Sequence, residues 1–278
     1  MHKILKQKTI SIPLFTLFSL LSFLFLGSLL TPYSHRELFW DHICHSPSWE
    51  LKFYFGTDSL GRDLFSRLLV GGRISLSLAL LASLLCVSCG TILGLLSGYF
   101  SRWIDRVIMG IADFLYGFPF LLSISFLFTL FERNPLFIFL SIALLEWPDI
   151  ARMIRAHTLS MKNQPFIQYA RCSGASTYTI FLKEILPNLS GPLFIYTSLI
   201  FQRALMIESF LSFLGLGIQE PMTSLGLLIG EGVQQIETEW WSFFFPTTFL
   251  LFSVLSLIYL GEELRKTFSV KEQIFKSS

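Results

Sequence analysis

The chain has 278 residues, 53% of them apolar and 16% aromatic, and only 14% are Asp, Glu, Lys or Arg. A soluble domain carries about a quarter charged residues, so this chain has too few to cover a globular surface, and its expected solvent is lipid. The composition argues against a cytosolic enzyme, a disordered regulator and a secreted disulfide scaffold, and a net charge of +2 makes no case for nucleic acid binding.

Crossing a hydrocarbon core about 30 Å thick takes roughly 20 apolar residues in helical form. Six segments are expected to do so: residues 10–30, 74–97, 107–131, 136–154, 192–207 and 241–261. The expected fold class is therefore all-α, a polytopic membrane protein. Lys3, Lys6 and Lys8 precede the first span, but its apolar stretch is too long for a signal peptide and no small-x-small cleavage site follows. Thr31-Pro32 ends it, and it reads as a retained anchor. In the second span Ala82, Cys86, Gly90, Gly94 and Gly98 recur every four residues, beside a second row of Ser75, Ala79 and Ser83. Small residues at that spacing let another backbone approach closely, which we read as packing within the bundle ahead of a subunit interface. Cys86 and Cys89 read as small packing residues of the same helix, not as a redox pair. In the third span Gly117-Phe118-Pro119 is expected to kink the helix. Glu146, Pro148 and Asp149 interrupt the fourth, and the fifth is short.

With the N-terminus placed inside, 14 of the 21 Lys and Arg residues fall in inner segments. Glu208, Glu220, Glu231, Glu237 and Glu239 fall in the last outer loop. The bias supports both termini on the cytoplasmic side. Asp113, Glu146, Asp149, Arg203 and Glu208 are expected within a few turns of helix ends, where they can snorkel or pair. With no charge expected at mid-span, an autonomous ion-coupled carrier is disfavoured though still open. No phosphate loop of the G-x-x-x-x-G-K-[ST] type occurs, so ATP, if used, binds another subunit. Asp41-His42-Ile43-Cys44-His45 holds ligand-type residues, but in a loop without a regular scaffold it reads as a polar segment, and no metal site is expected. No catalytic constellation stands out, which leaves a membrane enzyme as the weaker alternative.

The most informative stretch joins the fourth and fifth spans, at about residues 150–188. Phe166, Ile167, Ala170 and Ser173 mark one face of a short helix that begins at Pro165 and ends at Gly174. Tyr178, Phe181, Leu182 and Ile185 mark a second, which Leu186-Pro187-Asn188 is expected to stop. Two short helices joined at a glycine make a knob for a partner's groove, or a pair of helices lying on the membrane surface; the pattern alone leaves both open.

Gln168-Tyr169-Ala170-Arg171-Cys172-Ser173-Gly174, followed by Ile185-Leu186-Pro187-Asn188, resembles the EAA loop of ABC importer permeases. Ala170, Gly174, Leu186 and Pro187 stand at the family's spacing; Gln168 replaces its Glu, Tyr169 its first Ala, and Glu184 its usual Ile. The run from Gly56 to Arg67, with Gly72-Arg73-Ile74-Ser75-Leu76, resembles the segment before the second span in peptide and nickel permeases. Gly98-Tyr99-Phe100, Phe118-Pro119 and Leu211-Ser212-Phe213-Leu214-Gly215-Leu216-Gly217 resemble that family's motifs as well, in the same order along the chain. The resemblance covers about residues 10–268 and is to the second, C-type permease subunit of dipeptide, oligopeptide and nickel importers.

It implies a type I (MetI-like) permease fold, with residues 1–70 as anchor and first outer loop, 71–262 as permease core and 263–278 as a cytoplasmic tail. It further implies an inner-membrane heterodimer with a second permease, two P-loop subunits that use ATP and Mg, and an extracytoplasmic substrate-binding protein. No cofactor is expected in this chain. Gln168, Tyr169, Ala170, Gly174, Leu186 and Pro187 are the expected coupling residues, and Ala82, Gly90, Gly94 and Gly98 the helix-packing ones. Asp58, Arg62, Asp63 and Arg67 are expected to form an intrachain ion-pair cluster or, alternatively, a platform for the binding protein. Peptide is the expected cargo, with nickel the alternative.

Overall fold

The computed structural model describes residues 15–130 and 135–277; among these the regular elements are helices, joined by loops such as 31–63 and 214–224, and the bridge pairs Ser48 with Phe53 and Thr57 with Asp63 are isolated. The helices are α1 (Phe15–Leu26), α2 (Leu64–Tyr99), α3 (Arg102–Tyr116), α4 (Phe120–Leu130), α5 (Pro135–Met161) and α6 (Pro165–Cys172). They continue with α7 (Thr177–Phe213), α8 (Leu225–Gln234) and α9 (Trp240–Ser277). Among the described residues α2, α7 and α9 are long and apolar enough to cross a membrane. The expected beginning of the first span, residues 10–14, lies outside the described residues.

Several boundaries differ from expectation, each for a physical reason. The 36 residues of α2 start ten before the expected span and rise about 54 Å. The third span is two helices, not one kinked helix. Gly117 caps α3 with its N–H on the carbonyls of Asp113 and Phe114, and α4 begins after Pro119. The fourth runs unbroken through Pro148 to Met161, which puts Glu146 and Asp149 in the middle of α5 and not near its end. Leu186-Pro187-Asn188 does not stop a helix. α7 runs through Pro187 and Pro192 with a π-helical turn at Ile180–Ile185. A proline in a helix collides with the carbonyl four residues back, and the wider π turn just ahead of Pro187 accommodates it. Glu208 accordingly belongs to α7, where it is fully buried and accepts a hydrogen bond from Ser212 at 2.9 Å, and is not in an outer loop.

The chain divides into two compact units. The first comprises the described residues of Met1–Leu81, Phe128–Phe139 and Phe201–Leu260. Its loop of residues 31–63 is pinned by stacked rings, Tyr33 on Phe53 at 4.9 Å and Phe55 on Phe245 at 3.9 Å, and by the Trp241 indole N–H donated to the Thr57 carbonyl at 3.2 Å. α8 folds back onto α2, with the Leu225 N–H donating to Ser75 Oγ at 3.1 Å.

The second unit comprises Ala82–Leu127, Leu140–Ile200 and the described residues of Gly261–Ser278. Its core joins α2, α3, α5, α6 and α7 through buried Cys86, Ala112, Trp147, Ile154, Ile167 and Ile185 among others. Ala82 is buried as well, and the glycine row of α2 faces α5. A Cβ on Gly90 would lie 2.6 Å from Ile150 Cβ, on Gly94 2.7 Å from the Ala151 carbonyl oxygen, and on Gly98 2.7 Å from Thr158 Cβ. No real contact is that short, so these positions admit no side chain without separating the two helices.

Gly94→Leu is therefore expected to destabilise the fold by about 1–3 kcal/mol or more through overpacking. Gly110→Leu on α3, whose added Cβ would meet no atom within 4 Å, is expected to cost far less. The yield of monodisperse protein in detergent checks the pair.

Candidate functional site

The segment between α5 and α7 forms a sharp corner. Pro165 at the first position of α6 suits the helix start, since its missing N–H would have no partner there. α6 ends at Cys172, and Gly174 just beyond it has a φ of +80°, in the left-handed region that a residue with a Cβ enters only under strain. Ser176 then caps α7, its hydroxyl accepting from the Thr179 N–H at 3.2 Å.

The corner is held from below by one side chain of α2. Arg171 Nε donates to Tyr99 Oη at 3.1 Å while its guanidinium lies 4.7 Å from the Tyr99 ring centre. The Phe181 ring meets Tyr99 edge-on at 4.9 Å. Ile167 of α6, and Ile180 and Ile185 of α7, are buried in the core. The inward face of this part of α7 is thus Ile180, Phe181 and Ile185, with Tyr178 and Leu182 turned out. Expecting Tyr178, Phe181, Leu182 and Ile185 on one face assumed 3.6 residues per turn. The π turn has more, so residues five apart, Ile180 and Ile185, share the buried side.

The outer side carries exposed aromatics among polar residues. Tyr169 is 76% exposed and Tyr178 73%, with Phe166 and Leu182 beside them on the outer surface. Gln168 is exposed and its amide returns to the Asn163 carbonyl at 3.1 Å; Ala170 is half-buried against the core. Leu186 and Pro187 line an open, mostly apolar groove along α7 with Leu182, Ser190, Leu193, Phe194 and Thr197. The six residues expected at a coupling site therefore lie on the corner or on the helix leaving it. Sequence reasoning overlooked Tyr99 and Arg171 as its clamp; the Gly98-Tyr99-Phe100 motif was the available signal.

Near the same end of α2, Arg155 Nε and Nη2 donate to the two Asp105 carboxylate oxygens at 2.5 and 2.6 Å, and Ser97 Oγ bonds Asp105 too. These donors hold the Asp105 carboxyl below the usual carboxylate range against a smaller opposing effect of burial.

In the first unit Asp58, Arg62 and Arg67 meet in one ion-pair network with Glu220 and Glu231. Arg67, whose side chain is 2% exposed, bonds Asp58 and reaches Glu231 at 2.6 and 3.2 Å. Arg62 bonds Asp58 at 2.8 Å and Glu220 at 2.5 Å. Asp63 stands apart. It accepts from the Ser66 N–H at 2.8 Å and Ser66 Oγ at 2.6 Å in the first turn of α2, and burial outweighs these bonds and raises its pKa. Arg62 and Arg67 are thus engaged within the chain, while Glu220, which sequence reasoning did not link to them, remains half exposed. Removing a cation from a buried network leaves charge without compensation. Arg67→Met is expected to cost about 3–5 kcal/mol, and Arg67→Met with Glu231→Gln less than Arg67→Met alone; thermal unfolding midpoints in detergent check the order.

Residues 90–266 match the family model described as binding-protein-dependent transport system inner membrane component. The chain is 38% identical over 242 residues to the oligopeptide transport system permease protein OppC of Haemophilus influenzae, covering 87% of this chain and 78% of that one. It is 36% identical over 219 residues to the dipeptide transport system permease protein DppC of Bacillus subtilis, covering 78% and 68%. With the glutathione transport system permease protein GsiD of Pectobacterium atrosepticum the identity is 34% over 253 residues, covering 91% and 83%. The helical architecture, the corner at Gly174 and these matches together make the chain a member of the binding-protein-dependent inner-membrane component family, the membrane-embedded permeases of ABC importers.

Proposed function

We propose that this chain is one of two different permease subunits of an ATP-driven peptide importer in a bacterial inner membrane. Both termini and the α6–α7 corner face the cytoplasm. Two P-loop subunits, which bind ATP and Mg, dock on the corner, and an extracytoplasmic binding protein delivers the peptide. The relatives' names, oligopeptide, dipeptide and glutathione permeases, support the cargo class.

The corner's geometry carries the coupling reading. It is rigid on its inner side, through Ile167, Ile180, Ile185 and the Tyr99–Arg171 clamp, and presents Tyr169, Tyr178 and Phe166 on its outer side. Aromatic side chains projecting from a fixed base suit a groove on a partner better than a mobile loop does. α7 continues from the corner without a break to Phe213, so a displacement of the corner becomes a movement of a membrane-crossing helix. Closure of the ATP-binding subunits would bias the permease pair between inward- and outward-facing states, and ATP must therefore favour one state over the other.

Gly174→Val tests this. Nothing lies within 4 Å of an added Cβ, so the variant acts on the backbone alone, and a β-branched residue at φ +80° costs about 1–3 kcal/mol. Uptake by the complete importer is expected to fall about tenfold or more, with the amount of inserted chain little changed. Wild-type uptake by Gly174→Val would overturn the assignment of the corner.

A further inference from the structure

One buried carboxyl belongs neither to the corner nor to the Arg67 network. Glu208 lies in the last turns of α7 and is fully buried. A carboxyl taken out of water needs hydrogen bonds or a counter-charge, and here its partners are hydroxyls drawn from three elements. Ser212 Oγ donates to Oε1 at 2.9 Å and Ser209 Oγ to Oε2 at 3.3 Å, both from α7. Ser75 of α2 and Ser224, the cap of α8, turn their hydroxyls to the same carboxyl. All four serines are buried.

Three of these hydroxyls also accept a backbone N–H. Ser212 Oγ takes that of Ile218 at 3.1 Å, Ser75 Oγ that of Leu225 at 3.1 Å and Ser224 Oγ that of Leu227 at 3.2 Å. A serine has one proton to give, and with that proton turned to Glu208 its lone pairs are left for the backbone. One carboxyl thereby orients three hydroxyls and, through them, the chain from Ile218 to Leu227. The Leu211–Gly217 motif supplies the turn that brings this chain back: Gly215 has a φ of +74°, and the Leu216 N–H returns to the Leu211 carbonyl at 2.9 Å. A Cβ on Gly226 would collide with the Ser209 carbonyl, so the start of α8 rests on the backbone of α7 itself. On its other side the same segment holds Glu220 and Glu231, the partners of Arg62 and Arg67.

We propose that Glu208 is a positioning residue of the transport cycle. It makes the last turns of α7, the turn of α2 around Ser75 and the segment 214–234 one piece, so that a displacement of α7 is delivered to that segment. The delivery rests on the reading above, in which α7 is displaced from the corner where it begins. Without the carboxyl, four buried hydroxyls lose their acceptor and a cavity opens between three elements. The N–H groups of Ile218, Leu225 and Leu227 then bond to hydroxyls that nothing orients, and the segment no longer follows α7.

Two measurements on the complete importer decide the matter. In the first, amide hydrogen exchange is followed over residues 214–228. Glu208→Ala is expected to speed exchange there about tenfold or more, with residues 82–99 unchanged, and equal rates would overturn the positioning whatever drives the importer. In the second, peptide uptake is measured per ATP hydrolysed. Glu208→Ala is expected to lower this ratio about tenfold or more, and Glu208→Gln, which keeps one acceptor oxygen, to recover part of it. A residue that served stability alone would lower uptake and hydrolysis together, with the amount of assembled importer, so an unchanged ratio would overturn the proposal. If Glu208→Ala does not assemble, Ser75→Ala with Ser224→Ala removes two of the four donors, and the same two measurements are expected to move in the same directions. A wild-type importer whose uptake does not depend on ATP refutes the reading of the corner and the delivery with it, while the exchange result still decides what Glu208 holds in place.

Discussion

The contact on which the rest turns is the grip of Tyr99 on the corner between α6 and α7. One phenol at the end of α2 takes a hydrogen bond and a cation from Arg171 and the edge of Phe181. One residue earlier Gly98 lies against Thr158 and Arg155 of α5. The end of α2 is thereby locked to the helix that enters the corner, to the short helix within it and to the helix that leaves. Packed interiors transmit displacement because they have no slack, and here the packing converges at the point where a partner would push.

Lipid explains how the remaining charge is arranged. Inside hydrocarbon a charge must be paired, kept at an edge or given water. The Arg67 network takes the first course, with its guanidinium enclosed by Asp58 and Glu231. Asp105 and Arg155 form a bidentate pair beside the end of α2. Asp113, in the last turn of α3, and Arg152 pair as well, at 2.8 Å, with the Asp113 side chain 72% exposed.

Much of this was legible in the residues. The four-residue recurrence of Gly90, Gly94 and Gly98 is a direct imprint of a helix approaching to backbone contact, and the structure puts α5 there. Pro165 and Gly174 bracketed the short helix because each has a backbone preference that acts locally. What was illegible depends on distant partners. Pro187 looked like a stop because the π turn ahead of it, with Ile180 and Ile185 both in the core, leaves no trace in a 3.6-residue pattern. Glu146 and Asp149 looked peripheral because the apolar window ended before α5 did, its last turns being held by the contacts of Ile154 and Thr158 with α2. Glu220 and Glu231 could not be joined to Arg62 and Arg67 across 158 and 164 residues of sequence without the fold.

The central claim is that force enters this chain where the exposed aromatics of the corner meet an ATP-binding subunit. A photo-crosslinking amino acid at position 169, illuminated in membranes that carry the complete importer, tests it most directly. The account predicts an adduct with a P-loop subunit, and uptake that stops in proportion to adduct formed. Adducts with lipid alone, with uptake undiminished, would place the corner on the membrane surface and contradict it.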